Sequence, residues 1–300
     1  IGGEETHGFV MLPIELPEGV AEREGIRPRE LRSAIRHLLG ESGEWHKANP
    51  PPARRQSLRA LTYNVHSCAG TDGRVEPERI ARVIEHLDPD IAGIQELDRG
   101  TSRARGIDQI EQIGEITGHR ALFLPLVDRN AGTYGIGILS RYPFEIRRSE
   151  AFHRSKIGLP SENRGAIWVL IRETPIGSLH FVNTHLALGS QARSQQLEQL
   201  LGPAWLGALD HSEPLLLAGD FNCGSGARAY RAIATRNFRD AQLESGSGAR
   251  NTFFSRAPVR RLDHLFLSGG IRAWRTQVPR YPAAETASDH LPLIADIRVD

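Results

Sequence analysis

Six short apolar runs in this chain each border a polar side chain, and that repetition constrains the fold more tightly than any other sequence feature. The borders are Thr62-Tyr63-Asn64-Val65-His66, Ile94-Gln95-Glu96, Val182-Asn183-Thr184-His185, Gly219-Asp220-Phe221-Asn222, Arg261-Leu262-Asp263-His264 and Ser288-Asp289-His290-Leu291-Pro292. Before the fourth stands Pro214-Leu215-Leu216-Leu217-Ala218, short, apolar and opened by proline, which suits a fully buried strand. Asp220 and Asn222, two residues apart, then leave that strand pointing the same way. Taken singly, each border is an ordinary strand end, and Gly219-Asp220-Phe221-Asn222 also describes an Asx-type turn. Six of them gather polar groups at one rim of a sheet, and that makes a site.

From residue 58 onward strands and helices alternate. The apolar periodicity predicts strands over 58–64, 90–96, 135–140, 215–219, 262–267, 271–277 and 291–299. It predicts helices over 76–87, 108–117, 191–209 and 227–234, and a hairpin pairing 166–172 with 179–185. Helices between some strands and hairpins between others imply a mixed α/β sandwich rather than a purely parallel sheet. Residues 1–57 read differently. Leu31, Ala34, Ile35, Leu38 and Leu39 fall at helical spacing between Pro28 and Gly40, and Asn49-Pro50-Pro51-Pro52 forms a stiff spacer. The expected organisation is an N-terminal extension, 1–57, with one short amphipathic helix and a Pro-rich linker, followed by the main domain, 58–300.

With 39% hydrophobic and 24% charged residues, the 300-residue chain has the composition of a soluble globular protein with ample core. No apolar run reaches the length of a membrane span, and no transmembrane or signal-type segment is recognised. Two cysteines, Cys68 and Cys223, are too few for a disulfide framework and read as small buried thiols, which points to a cytoplasmic location. The net charge of +1 argues against nucleic-acid affinity driven by bulk charge. Local arginine clusters remain, at Arg99, Arg103 and Arg105, at Arg147-Arg148, and at Arg256, Arg260 and Arg261, and read as solvated surface.

The residue types at the six borders imply a chemistry. An aspartate accepts hydrogen bonds while an asparagine also donates, so Asp220 beside Asn222 pairs a base with a donor to a phosphate oxygen. Glu96 is a hard oxygen ligand suited to Mg²⁺ or Mn²⁺, and Asn64 offers it a carbonyl oxygen or a water contact. The histidines lack the spacing of a structural zinc site. No Gly-x-Ser-x-Gly elbow, phosphate-binding loop or complete dinucleotide fingerprint is present. Oxygen ligands with Asp–His pairs point to metal-assisted hydrolysis of a phosphoester.

In this order, Tyr63-Asn64-Val65-His66, Gln95-Glu96, Asn183-Thr184-His185, Gly219-Asp220-Phe221-Asn222, Leu262-Asp263-His264 and Ser288-Asp289-His290 resemble the endonuclease/exonuclease/phosphatase superfamily, deoxyribonuclease I-like, in its compact bacterial branch. The resemblance runs from about residue 58 to residue 300. It implies a four-layer α/β sandwich of two mixed β-sheets flanked by helices, with the site at one end. It also implies Mg²⁺ or Mn²⁺ held by Glu96 with Asn64 and Asp289. Asp220 would activate water, Asn222 would hold a phosphate oxygen, His290 would face the phosphate with Asp263 orienting it, and His185 would donate to the phosphoryl oxygens. Arg164, in Glu162-Asn163-Arg164-Gly165, reaches substrate phosphate or forms a structural salt bridge.

Two departures bear on the substrate. His66 stands where AP endonucleases of this superfamily carry an acidic residue or asparagine, and Thr62-Tyr63 replaces their tryptophan-containing start, so abasic-site repair loses weight. The expected activity is that of a monomeric phosphodiesterase acting on a phosphodiester of a small molecule, phospholipid headgroup or nucleic acid. The alternative is a Mg²⁺-dependent endo- or exonuclease on DNA or RNA. A catalytically inactive phosphate-binding module is disfavoured, because the full residue set is present.

Overall fold

The computed structural model describes residues 57–129, 131–153, 162–210 and 212–300, which fall within one compact unit, Arg55–Asp300. The helix and linker expected within residues 1–57 lie outside the described residues. In chain order the first elements are β1 (Leu58–Asn64), α1 (Pro77–Leu87), β2 (Ile91–Arg99), α2 (Gln109–Thr117), β3 (Arg120–Arg129), β4 (Gly132–Ser140) and β5 (Glu145–Ala151). Then come β6 (Gly165–Thr174), β7 (Gly177–His185), α3 (Ser190–Leu200), β8 (Leu215–Asp220), α4 (Arg228–Ala234) and β9 (Arg239–Asp240). The chain closes with α5 (Ala241–Glu244), β10 (Asp263–Ser268), β11 (Ile271–Gln277), α6 (Pro282–Ala287) and β12 (Leu293–Val299).

The strands form two six-stranded sheets, ordered β11-β12-β1-β2-β4-β3 and β5-β6-β7-β8-β10-β9. β1 and β2 are parallel, as are β7 and β8, and the other pairs are antiparallel, so both sheets are mixed. Their central strands are apolar on both faces, which demands a cover on each side. In β8, Leu216 and Ala218 enter the core between the sheets, while Leu215 and Leu217 pack in the cluster with Leu197, Leu200 and Ile233 of α3 and α4. In β1, Leu58 and Ala60 face the other sheet, while Leu61 and Tyr63 join Ile80, Ile84, Ile110 and Ile113 of α1 and α2. Helices, sheet, sheet and helices therefore stack as a four-layer sandwich. Burying each Leu or Ile of these layers is worth about 1.5–3 kcal/mol.

The helices form where their local signals place them. Ile80, Val83, Ile84 and Leu87 make one buried face of α1, which has Pro77 in its first turn. In α2, the Asp108 side chain accepts from the Glu111 N–H and Gly118 closes the C-terminus in the left-handed region. The helix expected over 191–209 stops at Leu200, because Gly202-Pro203 breaks it and leaves a single 3₁₀ turn, Leu206–Ala208. Strands β3, β5 and β9 and helices α5 and α6 have no counterpart among the elements expected from sequence.

A polar clamp crosses the otherwise apolar inter-sheet core. Gln95 on β2 donates through Nε2 to Asn183 Oδ1 on β7 at 2.7 Å. Asn183 Nδ2 answers to the Ile94 and Gly137 carbonyls at 3.0 and 2.7 Å. Room for it comes from Gly93, where a Cβ would stand 2.7 Å from Asn183 Oδ1. Both clamp residues belong to the border motifs, and their task is to join the sheets directly beneath the polar rim.

Candidate active site

Strand register collects the six borders at one end of the sandwich. β1 and β2 run parallel, with Asn64 level with Gln95, so Asn64 and Glu96 exit side by side. In the second sheet, parallel β7 and β8 set His185 level with Asp220. β10 is antiparallel to β8 and enters opposite the same residue, pairing Asp263 with Asp220. β6 enters with Gly165 opposite His185, which puts Arg164 at the rim. Ser288, Asp289 and His290 precede β12, whose Leu293 lies opposite Thr62 of β1.

Local backbone then aims individual side chains. A bulge shifts the β2–β4 register between Ile94 and Leu97, and Glu96 within it takes φ +61°, which turns it out of the ladder. Asn222 takes φ +51°, a left-handed conformation that asparagine tolerates well. Gly219 is at φ +155°, and a Cβ there would lie 2.1 Å from the Thr184 carbonyl oxygen. That close approach of β7 and β8 sets His185 against Asp220.

The side chains form one connected network. Asn64 Nδ2 donates to Glu96 Oε1 at 2.9 Å and to Asp220 Oδ2 at 3.0 Å, bridging the two sheets. The Asn222 backbone N–H holds Asp220 Oδ1 at 2.8 Å. His185 Nε2 and His290 Nε2 stand 3.5 and 3.8 Å from Asp220 Oδ2. Behind His290, Nδ1 lies 2.8 Å from Asp263 Oδ2, which also accepts from Thr252 Oγ1 at 2.5 Å. Ser288 Oγ donates to the Asn64 carbonyl at 2.8 Å and accepts the His290 N–H at 3.2 Å, pinning the His290 segment to β1.

Burial and neighbouring charge divide the protons unequally. Burial and the Asp263 charge push Asp220 up to about 7, against the pull of His290 and its two N–H donors. Burial works against a charged His290, but the Asp263 carboxylate outweighs it and holds the imidazolium up to about 10. His185 goes the other way: burial, then the charges of Arg164 and His290, keep it well below the usual range and neutral. A neutral imidazole accepts at one nitrogen only, so Arg164 Nη1 at 3.3 Å from Nδ1 and Asn222 Nδ2 at 3.0 Å from Nε2 compete for it.

Asp220, Asp263 and His290 each bring a ligand-type atom within 4.8 Å of the others. A protonated His290 has no lone pair for a cation, so this trio suits proton chemistry better than metal binding. The donor set that fits a hard divalent cation centres on Glu96, a half-buried carboxylate whose one side-chain hydrogen bond among the described residues comes from Asn64. Asn64 itself turns its NH₂ to the two carboxylates and its Oδ1 to the His66 N–H at 3.1 Å, so it orients Glu96 and keeps one lone pair of Oδ1 open. Asp289 stands at the rim, 3.9 Å from His66 Nδ1 and 3.4 Å from Ser288 Oγ. Arg164 is buried, pairs with Glu162 at 3.3 Å, and leaves its Nε without a partner.

Asn64, Glu96, Arg164, His185, Asp220, Asn222, Asp263, Asp289 and His290, the nine residues expected from sequence, all lie at this end of the sandwich. Thr252, Ser288 and Phe253, whose ring lies 4.8 Å from that of His290, are not among them. Ser288 sits inside a quoted motif and was legible there. Thr252 and Phe253 lie in an irregular stretch with no apolar run beside it. Cys68 and Cys223 are buried free thiols, as expected.

Fold and site together define a class, a two-sheet sandwich that gathers carboxylates, amides and imidazoles at one end of its strands. The chain belongs to the Endonuclease/Exonuclease/phosphatase family, whose sequence pattern matches residues 61–290. It is 25% identical over 263 residues to the uncharacterized protein YbhP of Escherichia coli strain K12, across 83% of this chain and 100% of YbhP. The fold is similar to an endonuclease/exonuclease/phosphatase of Bacteroides vulgatus, with TM-score 0.65 and 22% identity over 82% of this chain and 100% of that one. It is also similar to a mannosyl-6-phosphatase of Bacteroides thetaiotaomicron, with TM-score 0.64 and 21% identity over 80% of this chain and 99% of that one. Among the described residues, no helix is long and apolar enough to cross a membrane.

Proposed function

We propose that residues 58–300 form a divalent-metal-dependent phosphodiesterase that cleaves a P–O bond by in-line attack of water. One observation carries the reading: buried Asp220 faces the Nε2 atoms of two histidines at 3.5 and 3.8 Å, with Asp263 bonded behind one of them. That gives a base and an acid sharing one small space. Asp220, its oxygens held by Asn64 Nδ2 and the Asn222 N–H, takes a proton from water as the water oxygen bonds to phosphorus. His290, kept protonated by Asp263, donates toward the phosphoryl oxygens as charge builds and the bond to the leaving oxygen breaks. Asn222 and neutral His185 border the same space and orient the phosphoryl group, and Arg164 adds positive charge behind His185. Glu96, oriented by Asn64, would hold Mg²⁺ or Mn²⁺ with Asp289 nearby. When bound, that ion supplies Lewis-acid stabilisation of phosphoryl charge.

A mannosyl-6-phosphatase is among the similar folds, which supports the phosphoester class of the substrate. The test is hydrolysis of bis-p-nitrophenyl phosphate by the full chain. Chelation abolishes the activity and Mg²⁺ or Mn²⁺ restores it. Asp220→Asn and His290→Ala each lower the rate by about 10²–10³ or more with the fold retained by circular dichroism. Full activity in both variants would sink the assignment.

A further inference from the structure

A cavity of about 670 Å³ opens on the flank of the first sheet. Its walls come from the start of β1, the last turn of α1, the end of β11 and the segments around 247–250 and 278–281. None of the candidate-site residues lines it. β1 delivers Asn64 to the site but Arg59 to the cavity, and five residues of extended chain separate those two by roughly 16 Å.

Four guanidinium groups, from Arg59, Arg250, Arg275 and Arg280, line the cavity, and among the described residues no carboxylate does. Two of them are neutralised from outside: Arg59 pairs with Asp296 at 2.7 Å and Arg280 with Glu285 at 2.9 Å. Arg275 meets a neutral partner, the Gln277 amide oxygen at 2.5 Å when that amide faces it. Arg250 is anchored through its backbone N–H on Gln242 Oε1, and its guanidinium has no ion-pair partner among the described residues. Tyr281 lines the same wall with its ring, which packs on His86 with centroids 4.9 Å apart, and its hydroxyl is enclosed in the protein.

Among the described residues, the cavity thus offers two guanidinium groups that no carboxylate pairs with. Guanidinium forks match phosphate oxygens two at a time, and the volume is that of an ordinary small-molecule site. We propose that this cavity is a second anion site that binds a small diphosphate-bearing molecule through Arg250 and Arg275. It is separate from the catalytic rim, and it stands whether or not the phosphodiesterase reading does. Helix α6 runs from Tyr281 at the cavity to Ser288 at the rim, so the two sites share one short element.

The test is calorimetric titration of inorganic pyrophosphate into the full chain in metal-free, low-salt buffer. One site is expected, unchanged by His290→Ala. Replacing Arg250 and Arg275 together by Gln weakens it roughly tenfold or more, because both charged forks are lost. Arg250→Lys with Arg275→Lys recovers part of that loss, and hydrolysis of bis-p-nitrophenyl phosphate stays unchanged in the Gln variant. Absence of binding overturns the proposal, as does binding lost in His290→Ala and kept in the Gln variant. Orthophosphate binding as tightly as pyrophosphate would reduce the cavity to a general anion trap. Tighter binding of a single-stranded oligonucleotide through the same arginines would make it a strand-binding surface instead.

Discussion

Asp220 is pulled two ways. Burial and the Asp263 charge favour its protonated form, while His290, the Asn222 N–H and Asn64 favour the carboxylate. As a base it works only when ionised, so the rate rises with pH through about 7. As a donor His290 works only when protonated, so the rate falls as pH approaches about 10. The expected profile is bell-shaped. Asp263→Asn removes the charge that outweighs burial at His290, so the upper limb moves to lower pH by about one unit or more. An upper limb that stays in place would separate His290 from that limb. These roles were half legible in the sequence. Asp220, Glu96 and His290 announce themselves by residue type, but the direction of the Asn64 amide depends on which carboxylates surround it. The part played by Thr252 depends on a contact with Asp263 made across an irregular loop.

At the scale of elements, the site depends on how closely strands approach. A Cβ at Gly219 would meet the Thr184 carbonyl at 2.1 Å, and φ +155° is unfavourable for any other residue. Gly219→Ala is therefore expected to cost about 2–4 kcal/mol in urea unfolding and to lower the hydrolysis rate with it, because β7 and β8 must separate. An unaltered unfolding midpoint would mean that the two strands yield at no cost. Elements with strong apolar periodicity were legible: β1, β8, β11 and the β6–β7 hairpin lie within a residue or two of their predicted spans. Strands β3 and β5 were not. Each sits at a sheet edge with one partner; β5 is exposed or half-buried along its length and carries no apolar run, while in β3 Pro125 interrupts the apolar run over 121–127. The helix past Leu200 was over-extended because the leucine spacing continues through Gly202-Pro203, where backbone geometry ends it.

For the whole molecule, the candidate site is a joint between two sheets. Asn64, Glu96 and His290 come from the first sheet and Asp220, His185 and Asp263 from the second, and Asn64 bridges them at 3.0 Å. The apolar layer below, with Phe181 fully buried in it, keeps the sheets in register. Phe181→Ala is expected to cost about 3–5 kcal/mol by urea denaturation and to slow hydrolysis although no site contact is removed. Stability lost without any change in rate would show that the rim keeps its geometry independently of that layer. The sequence by itself determined which strands are apolar on both faces, and hence a layered α/β sandwich, and which acids, amides and imidazoles stand at their ends. Those follow from period-two patterning and residue chemistry, both local. Only the tertiary structure decided which of them meet, because Asn64 and Asp220 lie 156 residues apart and touch through sheet register and the packing of one sheet on the other. It also decided their proton states, since burial and the neighbouring carboxylate, not residue type, separate His290 from His185.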